Sequence, residues 1–340
     1  MTPTPHVEFS LRARVGEIVL NRPEELHALS LPMIDAMNRQ LAEWAEDPKV
    51  VGVTIRSKGK LSFCAGIDQR ALYRALRSGD RDYGRVFFQR FYQLLYRIAR
   101  YPKPTMSVMD GATTGGGVAL AMQCQKRVAT RNTYFSTAEC RVGYFPDGGL
   151  GPILGRCPGE QGMYFALAGV ALRGRGLVQT GLATHLAPED QVHMISPLLI
   201  DHLEIAPAHS ELADLGPTID QVFGLSSAKT LLGILAVRSG NWAKDTSEAI
   251  RKQSPTAIAV TYRHLRSSKD MSLEETLKQD FRLSQNLLDG HDFLEGIRAF
   301  VIERDEKPVW QPGDIASVSE GELDQLFGPI LGVPDWTPAG

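Results

Sequence analysis

Short β-branched apolar runs alternate with amphipathic helical stretches through the first half of the chain, with glycine or proline breaks between them. Val15 to Leu20 and Val50 to Ile55 (VVGVTI) read as strands, as does Thr105 to Met109. Between them, Ser30 stands ready to cap a helix whose apolar positions Ile34, Met37, Leu41 and Trp44 recur at spacings of three and four. Phe88, Phe91, Leu95 and Ile98 mark a second helix, which Pro102 and Pro104 end. Asn21-Arg22-Pro23 closes the first strand, because Pro23 disfavours helix at Arg22. A strand, loop and helix repeating at this interval predicts an α/β layout with short connections. The pattern alone leaves open whether the sheet is flat, wound or coiled.

After about Pro188 the strand signal fades. Pro197 to Leu235 is helical in tone but interrupted by Pro207 and Pro217. Residues 240–300 read as helical, with a capping box at Ser272-x-x-Glu275. The last stretch, Lys307 to Gly340, is proline-rich and predicts an irregular tail with one short helix around Glu320 to Phe327.

Bulk properties exclude several classes of function. The 340 residues suit one large domain, or a core with an appendage, and 43% of them are hydrophobic. The net charge is −2, so no global basic excess recruits nucleic acid. No apolar run approaches the ~20 residues of a membrane span. The first residues resemble neither a signal nor a transit peptide, which sets a cytoplasmic expectation. Cys64, Cys124, Cys140 and Cys157 form no C-x-x-C pair and are expected to be reduced, structural thiols. Arg100, Lys103, Lys126, Arg127 and Arg131 read as solvated faces. His291-Asp292 reads as structural, and no metal-ligand cluster, nucleophile elbow or zinc-protease helix is present in the sequence.

Three segments carry chemistry. In Phe63-Cys64-Ala65-Gly66-Ile67-Asp68, Gly66 permits a turn that can point the Ile67 amide into a cleft; alone, it also reads as an ordinary strand-to-helix turn. Gly115-Gly116-Gly117 lies at a strand-to-helix transition. Its backbone can hold a phosphate or a polarised carbonyl oxygen, or can simply let a helix pack closely on a strand. Glu139 and Asp147 are separated by Gly143 and Pro146, so both carboxylates can sit on a loop and divide acid and base duties between them.

In their order and spacing these segments resemble the crotonase (enoyl-CoA hydratase/isomerase) superfamily. The resemblance rests on Leu20-Asn21-Arg22-Pro23, Phe63 to Gly66, Gly111 to Gly117, and Gly181-Leu182-Ala183. It sharpens to the 3-hydroxyisobutyryl-CoA hydrolase branch through Glu139 with Gly143-Tyr-Phe-Pro-Asp147-Gly-Gly149. Ser254-Pro-Thr256, Phe281-Arg-Leu-Ser-Gln285, Gly290 to Ala299 and Pro308-Val-Trp310-Gln-Pro312 carry the branch match further. The resemblance implies a spiral of ββα repeats over residues 1–200, a helical C-terminal region over 201–306 and the tail over 307–340.

It further implies an acyl-CoA thioester as substrate, with a short branched or 3-hydroxylated acyl group, and no cofactor beyond the coenzyme A of that substrate. The Ile67 and Gly116 amides are implied as the oxyanion hole and Glu139 and Asp147 as the catalytic carboxylates. Leu26, Ala28, Gly66, Asp68, Gly115 and Phe91 are implied as contacts to substrate or coenzyme A. A homo-oligomer and a place in valine degradation are carried over in the same way. Hydratases of the superfamily have a second glutamate where this chain has Ala119, which cannot move a proton, so hydrolysis is favoured over a hydratase or isomerase. A non-catalytic CoA-binding protein is the third reading, opposed by retention of both carboxylates. The chain departs from the hydrolase pattern at Ile67 (usually Gly), Phe91 (usually Glu), Ala138 (usually Pro) and His27 (usually Asn). Loss of a carboxylate at Phe91 favours a less polar acyl group.

Overall fold

A computed structural model of the chain describes residues 6–188, 191–192, 195–198 and 211–339. The boundary expected at 200/201 and Pro207 lie outside the described residues. The chain opens with a hairpin of β1 (Val7–Arg12) and β2 (Val15–Leu20), paired antiparallel. β1 is absent from the sequence reading because only Val7 of its residues is buried, so it lacks a sustained alternation. Helix α1 (Leu31–Glu46) follows and buries Ile34, Met37, Leu41 and Trp44 as the spacing predicts. Ser30 occupies the N-cap, but its hydroxyl makes no cap bond. Pro32, one of the two residues whose N–H it could receive, has none.

From here the chain coils. β3 (Gly52–Ser57) joins the first sheet beside β2, and β4 (Ser62–Cys64) starts a second sheet. Helices α2 (Gln69–Arg77) and α3 (Arg81–Ala99) return it to β5 (Thr105–Met109) in the first sheet, and β6 (Ala112–Thr114) steps again to the second. α4 (Gly116–Met122), β7 (Lys126–Ala129) and β8 (Tyr134–Ser136) repeat the step. Each turn therefore lays one strand in each sheet, and β3, β5 and β7 are mutually parallel, as are β4, β6 and β8. This is the expected ββα spiral. After α5 (Leu150–Leu154) and α6 (Gln161–Ala168), β9 (Leu172–Arg173) ends the four-stranded sheet. α7 (Gly174–Gln179) leads to β10 (His185–Leu186), which ends the six-stranded one.

The rest is helical: α8 (Glu211–Phe223), α9 (Ala228–Val237), α10 (Asn241–Arg251), α11 (Pro255–Ser268), α12 (Leu273–Leu288) and α13 (His291–Ile297), then α14 (Glu320–Phe327) in the tail. Pro217 does not interrupt its helix as expected: α8 runs through it. Burial of Ile219, Val222 and Phe223 one turn later supplies the packing that offsets the lost backbone bond. The Ser272–Glu275 capping box forms on α12, and Ser319 with Glu322 makes a second on α14. Two presumed surface cations are tethers instead. Lys103 donates to the Trp44 and Asp47 carbonyls, and Arg127 to those of Cys124, Gly181 and Leu182. All four cysteines are buried and free, as expected. Among the described residues, no helix is long and apolar enough to cross a membrane.

The tail is irregular in path yet firmly docked. Arg282 grips Asp335 with two hydrogen bonds, and Trp336 packs edge-on against Tyr96 of α3, 3% exposed. Replacing Trp336 by Ala removes most of that contact. Equilibrium urea unfolding of the W336A variant is expected to show a loss of about 3–5 kcal/mol.

Candidate active site

The two glycine turns meet backbone to backbone. Gly66 takes φ +107°, open to glycine and strained for other residues. Leu29 then bonds on both sides of Ile67: its N–H donates to the Gly66 carbonyl at 2.8 Å, and its carbonyl accepts the Asp68 N–H at 2.9 Å. A parallel bridge of this register leaves the N–H of the middle residue, Ile67, facing the other way. On that other side begins α4. Gly117 packs so close to Cys64 that a Cβ on it would come within 2.2 Å of the Cys64 carbonyl oxygen. A Cβ on Gly116 would stand 3.5 Å from the Ile67 nitrogen. Gly115, at the helix N-cap, turns the chain into this position.

Among the described residues neither the Ile67 nor the Gly116 amide has a hydrogen-bond acceptor. Two neighbouring amides without an internal acceptor, one at a helix start, form a pocket for developing negative charge on oxygen. The Ile67 side chain and the tip of the Phe91 ring close over it, within 2.8 and 3.2 Å of the Gly116 Cβ position. Phe91 is fully buried, so this wall is apolar.

Glu139 opens a one-turn 3-10 helix, Glu139–Val142, directly after the second sheet. Cys140 anchors that turn in the core: its carbonyl accepts the Ser254 N–H, and its thiol lies 3.2 Å from the Thr261 hydroxyl. Glu139 is buried, not solvated as loop carboxylates commonly are, and among the described residues neither of its side-chain oxygens has a hydrogen-bond partner. Burial pushes its carboxyl up to about 8, and the Asp147 charge adds to that. Asp147 is also buried, but Tyr92 donates to its Oδ2 at 2.6 Å and Tyr144 at 3.2 Å. Burial lifts Asp147 to about 6, with the two hydroxyls pulling the other way. The two acids are thus set apart by environment, which is how a carboxyl pair divides proton-donor and proton-acceptor roles.

Ala119, one turn along α4 from Gly116, packs on Gly148: a Cβ at 148 would lie 2.7 Å from that of Ala119.

Leu26, Ala28, Ile67 and Asp68 line a cleft of about 260 Å³ on the outer side of the Gly66 turn. Phe300 and Arg304 form its far wall. Leu26 and His27 both hold left-handed backbone, at φ +49° and +61°. His27 stabilises that bend: its Nδ1 accepts the Arg22 N–H, so Nε2 carries the proton toward the Lys58 carbonyl, each at 3.0 Å. Asp68 reaches the cleft, yet its carboxylate is committed to Arg22 at 2.8 Å and to capping α2 through the Ala71 N–H. Asp292 likewise serves structure, accepting from Ser254 and from the Gln311 amide.

Sequence reading missed Tyr92, Tyr144, Phe300 and Arg304. A tyrosine on the apolar stripe of α3 signals a hydroxyl that needs a partner. Nothing in its spacing identifies Asp147. Removing the Tyr92 hydroxyl takes away a hydrogen bond that favours ionised Asp147. In the Tyr92→Phe variant the Asp147-dependent acid limb of turnover is expected to move to higher pH by roughly one unit. A pH–rate profile checks this.

The Enoyl-CoA hydratase/isomerase family model matches residues 15–327. Similar curated proteins include the mitochondrial 3-hydroxyisobutyryl-CoA hydrolases of Danio rerio (35% identical, covering 95% of this chain and 90% of that one) and Homo sapiens (34%, 92% and 86%). Similar solved structures include an enoyl-CoA hydratase from Rhodobacter sphaeroides (TM-score 0.92, 32% identical, 98% of this chain and 99% of that one). A carnitinyl-CoA dehydratase from Mycobacterium thermoresistibile matches with a TM-score of 0.91, 31% identity, and 98% of each chain.

Proposed function

Because this chain belongs to the enoyl-CoA hydratase/isomerase family, we propose that it hydrolyses an acyl-CoA thioester with a short branched or 3-hydroxylated acyl group. Two observations carry this reading: among the described residues the adjacent Ile67 and Gly116 amides have no acceptor, and the buried Glu139 carboxyl has no hydrogen-bond partner. The thioester carbonyl accepts from both amides, which stabilise the charge that grows on its oxygen as the carbonyl carbon is attacked. One such donor is typically worth ~10²–10³ in rate. Glu139 then either draws a proton from water or attacks the carbonyl itself to form an anhydride that water opens. Asp147, ionised and held by Tyr92 and Tyr144, orients the water or acyl substituent and relays to the departing thiolate the proton that the attacking water releases. The coenzyme A arm lies in the cleft by Leu26, Ala28 and the Gly66–Asp68 turn, with Arg304 as a cation on its opposite wall. This chemistry needs donors and carboxylates only, so no metal or redox cofactor enters it.

A hydratase or dehydratase reading is favoured by the likeness to the two solved structures above, a hydratase and a dehydratase. Ala119 weighs against it, because addition of water to a double bond asks for a second positioned acid or base. The buried free thiols support a reducing compartment, the cytoplasm in our reading, although the curated relatives are named mitochondrial. Breakdown of a branched amino acid such as valine is the setting that this substrate class suggests.

Thiol release from a panel of acyl-CoA esters, with crotonyl-CoA absorbance followed in parallel, separates the readings. Glu139→Gln is expected to lower thiol release by about 10²–10⁴-fold while coenzyme A binding is retained. Loss of enoyl absorbance without thiol release would establish a hydratase. If Glu139 acts as base it must be deprotonated, so kcat/KM should climb as the pH rises toward about 8. A flat profile there would argue against that role.

A further inference from the structure

A third carboxylate stands behind the Asp147 turn. Asp280, on α12, is fully buried, and its Oδ2 accepts the Gly149 N–H at 2.8 Å. Gly148 and Gly149 both take positive φ, so this turn lies outside any regular ladder and depends on such a bond. The other oxygen of Asp280 faces His264 Nε2 at 3.2 Å, off the line of a hydrogen bond. His264 is itself fully buried. Gln279 donates its side-chain N–H to His264 Nδ1 at 2.8 Å, which leaves the ring proton on Nε2, toward Asp280. The Phe145 ring, two residues before Asp147, packs edge-on against the imidazole at 5.1 Å.

Packing does not require a carboxylate here. A buried charge is costly, and an apolar residue of similar volume commonly serves a core at least as well. What the carboxylate does contact is the segment that carries Asp147, from behind Phe145 to the Gly149 amide. We infer that Asp280, backed by His264, is a positioning residue for the hydrolysis: it fixes the turn through Gly149 so that Asp147 keeps its place between Tyr92 and Tyr144. This rests on the role proposed above for Asp147. The charge of Asp147 acts on Asp280 and on Glu139, and Tyr92, Tyr144 and His264 are further titratable groups around them.

The test compares Asp280→Leu and Asp280→Asn in the full chain by steady-state thiol release, with Asp147→Asn alongside and the folded fraction measured by thermal unfolding. Asp280→Leu, which leaves the Gly149 N–H unmet, is expected to lower kcat about 100-fold through misplacement. KM should stay within about twofold, because no substrate contact changes. Asp280→Asn retains an acceptor and is expected to recover kcat to within about tenfold of the parent. A folded Leu variant with undiminished kcat overturns the inference, as does a loss matched by the unfolded fraction. If the Leu variant does not fold, Asp280→Ala takes its place, and a folded Ala variant with parental kcat overturns the inference. Full turnover by Asp147→Asn overturns the proposed role of Asp147 and this inference together. An inactive Asp147→Asn beside an indifferent Asp280→Leu overturns the inference alone.

Discussion

The close approach of two backbones, the Gly66 turn and the start of α4, is the constraint on which the site depends. A side chain at Gly117 would force them apart, and Gly66 holds a positive φ that other residues adopt only with strain. Leu29 completes the arrangement by taking the hydrogen bonds on one side of Ile67, so that the N–H of Ile67 is left for the other side. Two donors are then held at fixed separation by main chain alone. Main-chain donors need little reorganisation when charge appears, which suits them to a transition state more than to a resting carbonyl.

Around those donors the protein arranges acidity by burial. Among the described residues Glu139 has no side-chain hydrogen-bond partner and rises to about 8, whereas Asp147 receives two phenolic hydroxyls and rises only to about 6. Both belong to one segment, yet their partners come from far along the chain: Tyr92 from α3, Ser254 and Thr261 beside Cys140, and Asp280 behind Gly149. The helical C-terminal half therefore contributes to the chemistry by holding the carboxylate segment from behind. The tail contributes less directly, by pinning α3 and α12 through Trp336 and Asp335.

The wall over the donors is apolar, because the Ile67 side chain and the tip of the Phe91 ring both stand against Gly116. One turn further along α4 the Ala119 methyl group lies close against Gly148, next to Asp147 in the chain, so the same short helix touches both the donors and the carboxylate segment.

Local rules made much of this legible in advance. Period and breakers located α1, α3, β2, β3 and β5, and the Ser272–Glu275 pattern located the start of α12, because each depends on residues a few positions apart. The same rules failed at β1, whose edge position asks for little burial, and at Pro217, where core packing overrides a local preference. Glycine spacing pointed to two turns that the fold brings backbone to backbone, and the Glu139–Asp147 motif to two carboxyls near enough for the charge of one to act on the other. Tertiary structure alone decided that both carboxylates are buried, that Tyr92 and Tyr144 engage one of them, that Asp280 and His264 stand behind the turn, and that Phe300 and Arg304 close the cleft. The physical reason is range. A capping box or an amphipathic stripe is written in a few consecutive residues. A hydrogen bond between residues 55 or 131 positions apart has no spacing to read until the spiral brings its ends together.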